Sequence, residues 1–171
     1  MNHQPIDIHS LNESAVRLIG KDWMLITAGT LQDYNTMTAA WGGLGFLWKR
    51  PVAYIFVRPH RHTYLFTEKY DHFSLCFFGE KYREALQFCG TRSGRDTDKA
   101  AQTGLEPLDA GGNCVYFSQA ELVLICRKIY YQDLDPQLFL DQSINKEYPG
   151  KDYHRMYIGE IETTLVKSGL K

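Results

Sequence analysis

The segment from Asn35 to Thr63, NTMTAAWGGLGFLWKRPVAYIFVRPHRHT, gathers the residue types that a ligand with a flat ring at one end and a phosphate at the other requires. The backbone amides and small polar side chains of Asn35, Thr36, Met37, Thr38 and Ala39 suit the edge of a heteroaromatic ring. Arg58, Arg61 and Thr63 offer a guanidinium fork and a hydroxyl for a phosphate. The two sets would lie at opposite ends of one ligand, and the segment reads as a site for flavin mononucleotide (FMN).

An isoalloxazine ring presents carbonyl acceptors and an N–H at its pyrimidine edge and gathers negative charge near its redox-active nitrogen on reduction. A donor placed there favours the reduced anion. Trp41 and Trp48 supply flat apolar area that could cover the ring, cover a dimer surface, or pack in the core. Arg58 and Arg61 flank Pro59 and His60 just after an apolar run, and Thr63 opens a helical pattern whose N-terminus attracts anions. Further along, the polar stretch SGRDTDK carries Gly94 for a tight turn, with Arg95 and Lys99 able to reach back over an anion. Bland readings of the same residues stay open: an ordinary amphipathic strand after a turn at Asp33 to Asn35, a solvated basic loop, and neutralisation of Arg95 and Lys99 by Asp96 and Asp98.

Composition narrows the function classes. The 171 residues suggest one domain over 1–171, long enough to bury a core without a staple. Nineteen Lys and Arg against 20 Asp and Glu leave no broad basic footprint for nucleic acid or an anionic membrane. Neither a signal-like apolar N-terminus nor a spanning apolar run is visible, so a cytoplasmic location is expected. Cys76, Cys89, Cys114 and Cys126 follow no metal-ligand spacing and read as reduced core residues, while His60 and His62 lack partner ligands, so no metal is assigned. There is no G-x-G-x-x-G, P-loop or G-x-S-x-G motif.

The elements that must position these residues are short. Ser10 with Glu13 reads as a capping box opening a helix to about Ile19. Strands are predicted at Trp23 to Ala28, Thr36 to Trp41, Val52 to Val57, Phe73 to Phe78, Cys114 to Phe117, Glu121 to Tyr131 and Arg155 to Glu162. Short helices are predicted at Tyr64 to Tyr70 and Lys81 to Phe88. Strands and helices alternate too irregularly for a doubly wound sheet. A mainly β (α+β) antiparallel barrel with helices on its rim fits better.

Five blocks in order are similar to the flavin reductase-like family of FMN-binding split barrels, including its flavoredoxin-type members: Asn35 to Gly42, Trp48 with Pro51, Arg58 to Thr63, Ser93 to Lys99, and His154 to Ile161. The resemblance implies a six-stranded Greek-key barrel, a homodimer with FMN near the subunit interface, and reduction of flavin by NADH or NADPH or by another electron donor. It adds Ser93 to the cofactor contacts and suggests that His154 lies near the flavin and the nicotinamide entrance as a candidate catalytic residue. Two functions follow: an NAD(P)H-dependent flavin reductase passing electrons to free flavin, iron, oxygen or a partner protein, or a flavoredoxin-like electron carrier that does not oxidise NAD(P)H directly. One departure is visible. Many members carry a serine followed by two prolines where this chain has Trp48, Lys49, Arg50 and Pro51.

Overall fold

The computed structural model describes residues 3–169. Strands β1 (His3–Ile6), β2 (Met24–Thr30), β3 (Asp33–Ala39), β4 (Gly42–Leu47), β5 (Arg50–Val57), β6 (His72–Phe77), β9 (Leu122–Asp133) and β10 (Arg155–Lys167) form one antiparallel sheet. Its order is β3-β2-β6-β9-β10-β5-β4, with β1 added to β10, and a two-stranded ribbon pairs β7 (Pro107–Asp109) with β8 (Val115–Phe117). Sheet neighbours that are distant in the chain, β2 with β6 and β10 with β5, are the crossovers of a Greek key. One core cluster draws Met37 and Ala39 from one end of the path and Ala53 and Ile55 from near the other. The sheet therefore wraps into a split barrel, the mainly β architecture expected from the sequence.

Both faces of the central strands are buried. Met24, Ile26, Phe73, Leu75 and Leu124 point to the barrel cluster, whereas Leu25, Cys76, Val123 and Ile125 face a second cluster. Helices α3 (Arg83–Thr91) and α4 (Lys99–Thr103) cover that second face through Leu86, Cys89 and Ala100. Helix α2 (His62–Lys69) follows β5, two residues earlier than the apolar spacing predicts.

Local structure departs from the sequence reading in three places. The capping box does not form, because Asp7 caps a 3-10 turn over Ile8–Ser10 and the Ser10 hydroxyl is spent on the Asp7 carbonyl at 2.7 Å. Ser14 caps the short helix α1 (Ala15–Arg17) instead, and the chain then widens into a π-type turn over Leu18–Asp22. The bland alternative's turn at Asp33 to Asn35 is found instead at Leu31 and Gln32, since Thr30 already pairs with Asp33. Finally, Gly42–Leu47 is a strand, joined to β5 by the two-residue turn Trp48–Lys49, both with positive φ (51° and 62°).

Gly159 marks a tightly packed point inside the sheet. It sits at a register shift between β10 and β9, and a Cβ there would stand 2.5 Å from Phe73 Cζ and 2.9 Å from Cys126 Cβ. Gly159→Ala should therefore destabilise the fold by ~1–3 kcal/mol; an unchanged chemical-denaturation midpoint would show that Phe73 can yield. All four cysteines are free and buried, and burial pushes the Cys76 thiol up to about 12 and Cys89 to about 11. A chromogenic disulfide reagent should find no fast-reacting thiol in the native protein and four after unfolding.

Candidate functional site

Four strand ends meet at one rim of the barrel. Gly42 pairs with Ile55, which sets Trp41 opposite Phe56, and Arg155 pairs with Val57, which sets His154 beside Arg58. A backbone bond from Leu134 N–H to the His154 carbonyl at 3.0 Å extends the β9–β10 ladder by one rung and fixes the histidine at the rim. The resulting cleft encloses about 370 Å³. Met37, Thr38, Ala39 and Ala40 form one wall, Trp41, Phe56 and His154 supply rings, and Arg58, His60 and Arg61 close the polar end.

The cleft is charge-balanced at Arg58. Its guanidinium donates to Asp152 Oδ2 at 2.9 Å and to the Glu147 carbonyl at 2.8 Å, and His60 Nδ1 meets the same Asp152 oxygen at 2.9 Å. Asp152 is held below the usual carboxylate range, chiefly by the bond from Arg58. His154 is buried, and burial followed by the nearby Arg58 pushes its imidazole down to about 4.

A second pocket, about 220 Å³, shares His60 and Arg61 with the cleft and continues to Thr63, Ser93, Arg95 and Lys99. Six of the nine arginines form ion pairs among the described residues: Arg17, Arg50, Arg58, Arg83, Arg127 and Arg155. The other three, Arg61, Arg92 and Arg95, all line this pocket. Asp98 is spent on the Ala101 N–H as the cap of α4, and Asp96 makes no ion pair among the described residues. The cations depress one another: burial and then Arg58 lower the Arg61 guanidinium, and burial and then Arg95 and Lys99 lower His62. Thr63 carries the first turn of α2 to the pocket wall, where the helix dipole adds positive potential.

The sequence-predicted residues divide clearly. Met37, Thr38, Ala39, Trp41, Arg58 and His154 line the cleft, Thr63, Ser93 and Lys99 line the second pocket, and Arg61 lines both. Asn35 and Thr36 line neither. The Asn35 amide donates to Thr63 Oγ1 at 2.7 Å behind Gly94, and the Thr36 hydroxyl pairs with that of Thr27 at 2.8 Å inside the sheet. Trp48 is at the far tip of the β4–β5 hairpin, its ring 6.0 Å from that of Tyr130. The phosphate fork expected from Arg58 with Arg61 is likewise altered: Asp152 engages Arg58, whereas Arg61, Arg92 and Arg95 form no ion pair among the described residues. Lys99 reaches inward: its ammonium donates to the Thr36 and Cys89 carbonyls at 2.7 and 2.9 Å. Phe56 escaped the sequence reading although it lies two residues before Arg58, a strand spacing that puts both on one face. His60 was legible only as a loop residue.

A family model described as "Flavin reductase like domain" matches residues 16–171. Comparison with curated proteins returns no significant match. Among solved structures, the chain resembles flavoredoxin from Methanosarcina acetivorans (TM-score 0.67, 18% identity, covering 86% of this chain and 69% of that one). It also resembles the FMN-binding domain of a flavin reductases-like enzyme from Shewanella baltica (TM-score 0.68, 18% identity, 96% and 77% covered). A third similar fold is the NADH:FAD oxidoreductase of Streptomyces globisporus (TM-score 0.63, 14% identity, 85% and 75% covered). At these identities the structural likeness concerns the fold, and it is the match to the family model over most of the sequence that assigns the chain: it belongs to the flavin reductase-like domain family.

Proposed function

We propose that this chain is an FMN-binding oxidoreductase, with the flavin ring in the cleft and the phosphate in the adjoining cationic pocket, and that it works as an NAD(P)H-dependent flavin reductase. The observation that carries the reading is the clustering of every unpaired arginine of the described chain in a pocket that opens onto an aromatic-lined cleft. Cations without carboxylate partners suit a dianion, and the ring cleft is flanked by a cation already neutralised by Asp152. The donor set therefore fits FMN better than an uncharged flavin.

Each residue then has a physical task. Arg61, Arg92, Arg95 and the Thr63 hydroxyl hold the phosphate. Lys99 acts from behind, fixing the Thr36 carbonyl of β3 to the last turn of α3, while its charge adds to the potential. Trp41 and Phe56 exclude water from the ring faces, and His154 offers a ring nitrogen to the cleft. When bound, FMN would supply the redox chemistry, accepting a hydride from NADH or NADPH and passing two electrons to free flavin, iron, oxygen or a protein partner. We take the working unit to be a cytoplasmic homodimer of single-domain subunits. A flavoredoxin-like carrier is the second reading, favoured by the lack of a G-x-G-x-x-G dinucleotide motif in the sequence.

Two measurements test this reading. In an anaerobic titration of FMN-loaded protein, NADH or NADPH should bleach the visible flavin band rapidly; bound flavin that stays oxidised with both would favour the carrier. Arg95→Ala should weaken FMN by ~1–3 kcal/mol, the cost of a lost charged hydrogen bond, and leave riboflavin affinity nearly unchanged. Arg61→Ala should act in the same sense with some loss of stability, because Arg61 also donates to the Gly90 carbonyl at the end of α3. Equal losses for both ligands would remove the phosphate from this pocket.

A further inference from the structure

Tyr148 touches the cleft machinery from a loop outside the strands, and it is buried. It follows the 3-10 segment Gln142–Glu147 in the long connection between β9 and β10, and its hydroxyl lies 2.8 Å from His154 Nδ1, with both residues buried. The phenol ring is fixed on several sides. Phe139 stacks on it at 6.2 Å, Tyr153 lies at 4.9 Å, and the Arg58 guanidinium sits 5.0 Å from its centroid. His154 is equally confined, its ring 5.0 Å from Trp41 and edge-on to Phe56 at 6.4 Å.

From this geometry we infer that Tyr148 is a positioning residue: it donates its O–H to His154 Nδ1 and so fixes the histidine as the tautomer whose Nε2–H faces the cleft. The argument is one of satisfaction. Among the described residues the Tyr148 hydroxyl and the His154 ring have no other side-chain hydrogen-bond partner. Were Nδ1 protonated, the phenol oxygen would accept and its own hydrogen would be stranded in a dry position. With the phenol donating, both buried atoms are satisfied, and the second ring nitrogen is left as a donor at the wall of the cleft. The Arg58 charge over the phenol strengthens its O–H as a donor.

The surroundings keep the imidazole neutral. The charged or titratable groups facing it are Arg58 at the end of β5, His60 and Asp152 in the loops, and Tyr148 itself. Burial and Arg58 oppose protonation and Asp152 favours it, with the balance against the charged form. His154 thus offers a neutral donor, able to hold an acceptor atom such as a ring carbonyl or a carboxamide oxygen of the cleft's ligand without adding positive charge. That last step rests on the proposed function. The tautomer does not.

The test uses the protein without flavin, so that its outcome and that of the FMN reading are independent. In protein labelled with ¹³C and ¹⁵N at histidine, with His154 assigned by its absence from His154→Gln, the imidazole should show the Nε2–H pattern and no titration between about pH 5 and 8. Tyr148→Phe removes the bond to the neutral ring. Its His154 should become a mixture of tautomers and titrate at higher pH than in the parent, because a contact that favoured the uncharged form is gone. An Nδ1–H tautomer in the parent, or an unchanged His154 signal in a folded Tyr148→Phe, would overturn the inference. Should the variant not fold, the parent tautomer alone decides it.

Discussion

The last turn of α3 exposes the negative end of a helix dipole and a set of carbonyls that no later turn can satisfy. Two cations meet that need. Lys99 from α4 donates to the Cys89 carbonyl and Arg61 from the β5–α2 loop to that of Gly90, while the Thr38 hydroxyl from β3 donates to the Leu86 carbonyl one turn earlier in the helix. Lys99 also reaches the Thr36 carbonyl, so a buried ammonium ties β3, α3 and α4 together. Its burial is costly, lowering its pKa to about 8, and the two carbonyl bonds are what offset the loss of water. The cleft, the cationic pocket and the start of α2 all owe their relative positions to this junction.

Electrostatics separates the two cavities that the junction brings together. Near the aromatic cleft, Arg58 shares Asp152 with His60, and that local balance lets apolar rings and a neutral histidine lie beside a guanidinium. Only a few residues along the chain the balance is abandoned. Arg61, Arg92 and Arg95 line one pocket and form no ion pair among the described residues, although Asp96 and Asp98 are close neighbours of Arg92 and Arg95 in sequence. Folding alone gains little from crowding like charges, which makes the pocket an arrangement suited to a ligand's charge rather than to the stability of the empty chain.

How legible was this in the sequence? The central strands were, because Met24 to Ala28 and Phe73 to Phe77 are apolar on both faces and stand out as runs rather than alternations. β4 was not: GGLGFL has little intrinsic strand preference, and its extended form is imposed by pairing with β5. The basic blocks were readable as a group, yet not their division of labour, since whether Arg58 or Arg95 is paired depends on Asp152, which approaches from about 90 residues away. Asn35 and Thr36 looked like ligand contacts because polar residues in a strand advertise hydrogen-bonding capacity without saying where it is spent. Here Thr63 and Thr27 consume it. Tyr148 gave no sequence signal at all, being one of 11 tyrosines in a loop with no periodicity.

The Trp48–Lys49 turn restricts which residues can join β4 to β5. Proline holds φ near −65° and donates no backbone hydrogen bond, whereas Lys49 sits at +62° and Arg50 begins the ladder opposite Leu47. A proline at position 49 would therefore break the hairpin. The constraint reaches past the turn itself, because the same left-handed backbone sets the Trp48 ring beside Tyr130 of β9, so the hairpin tip and that strand are fixed together.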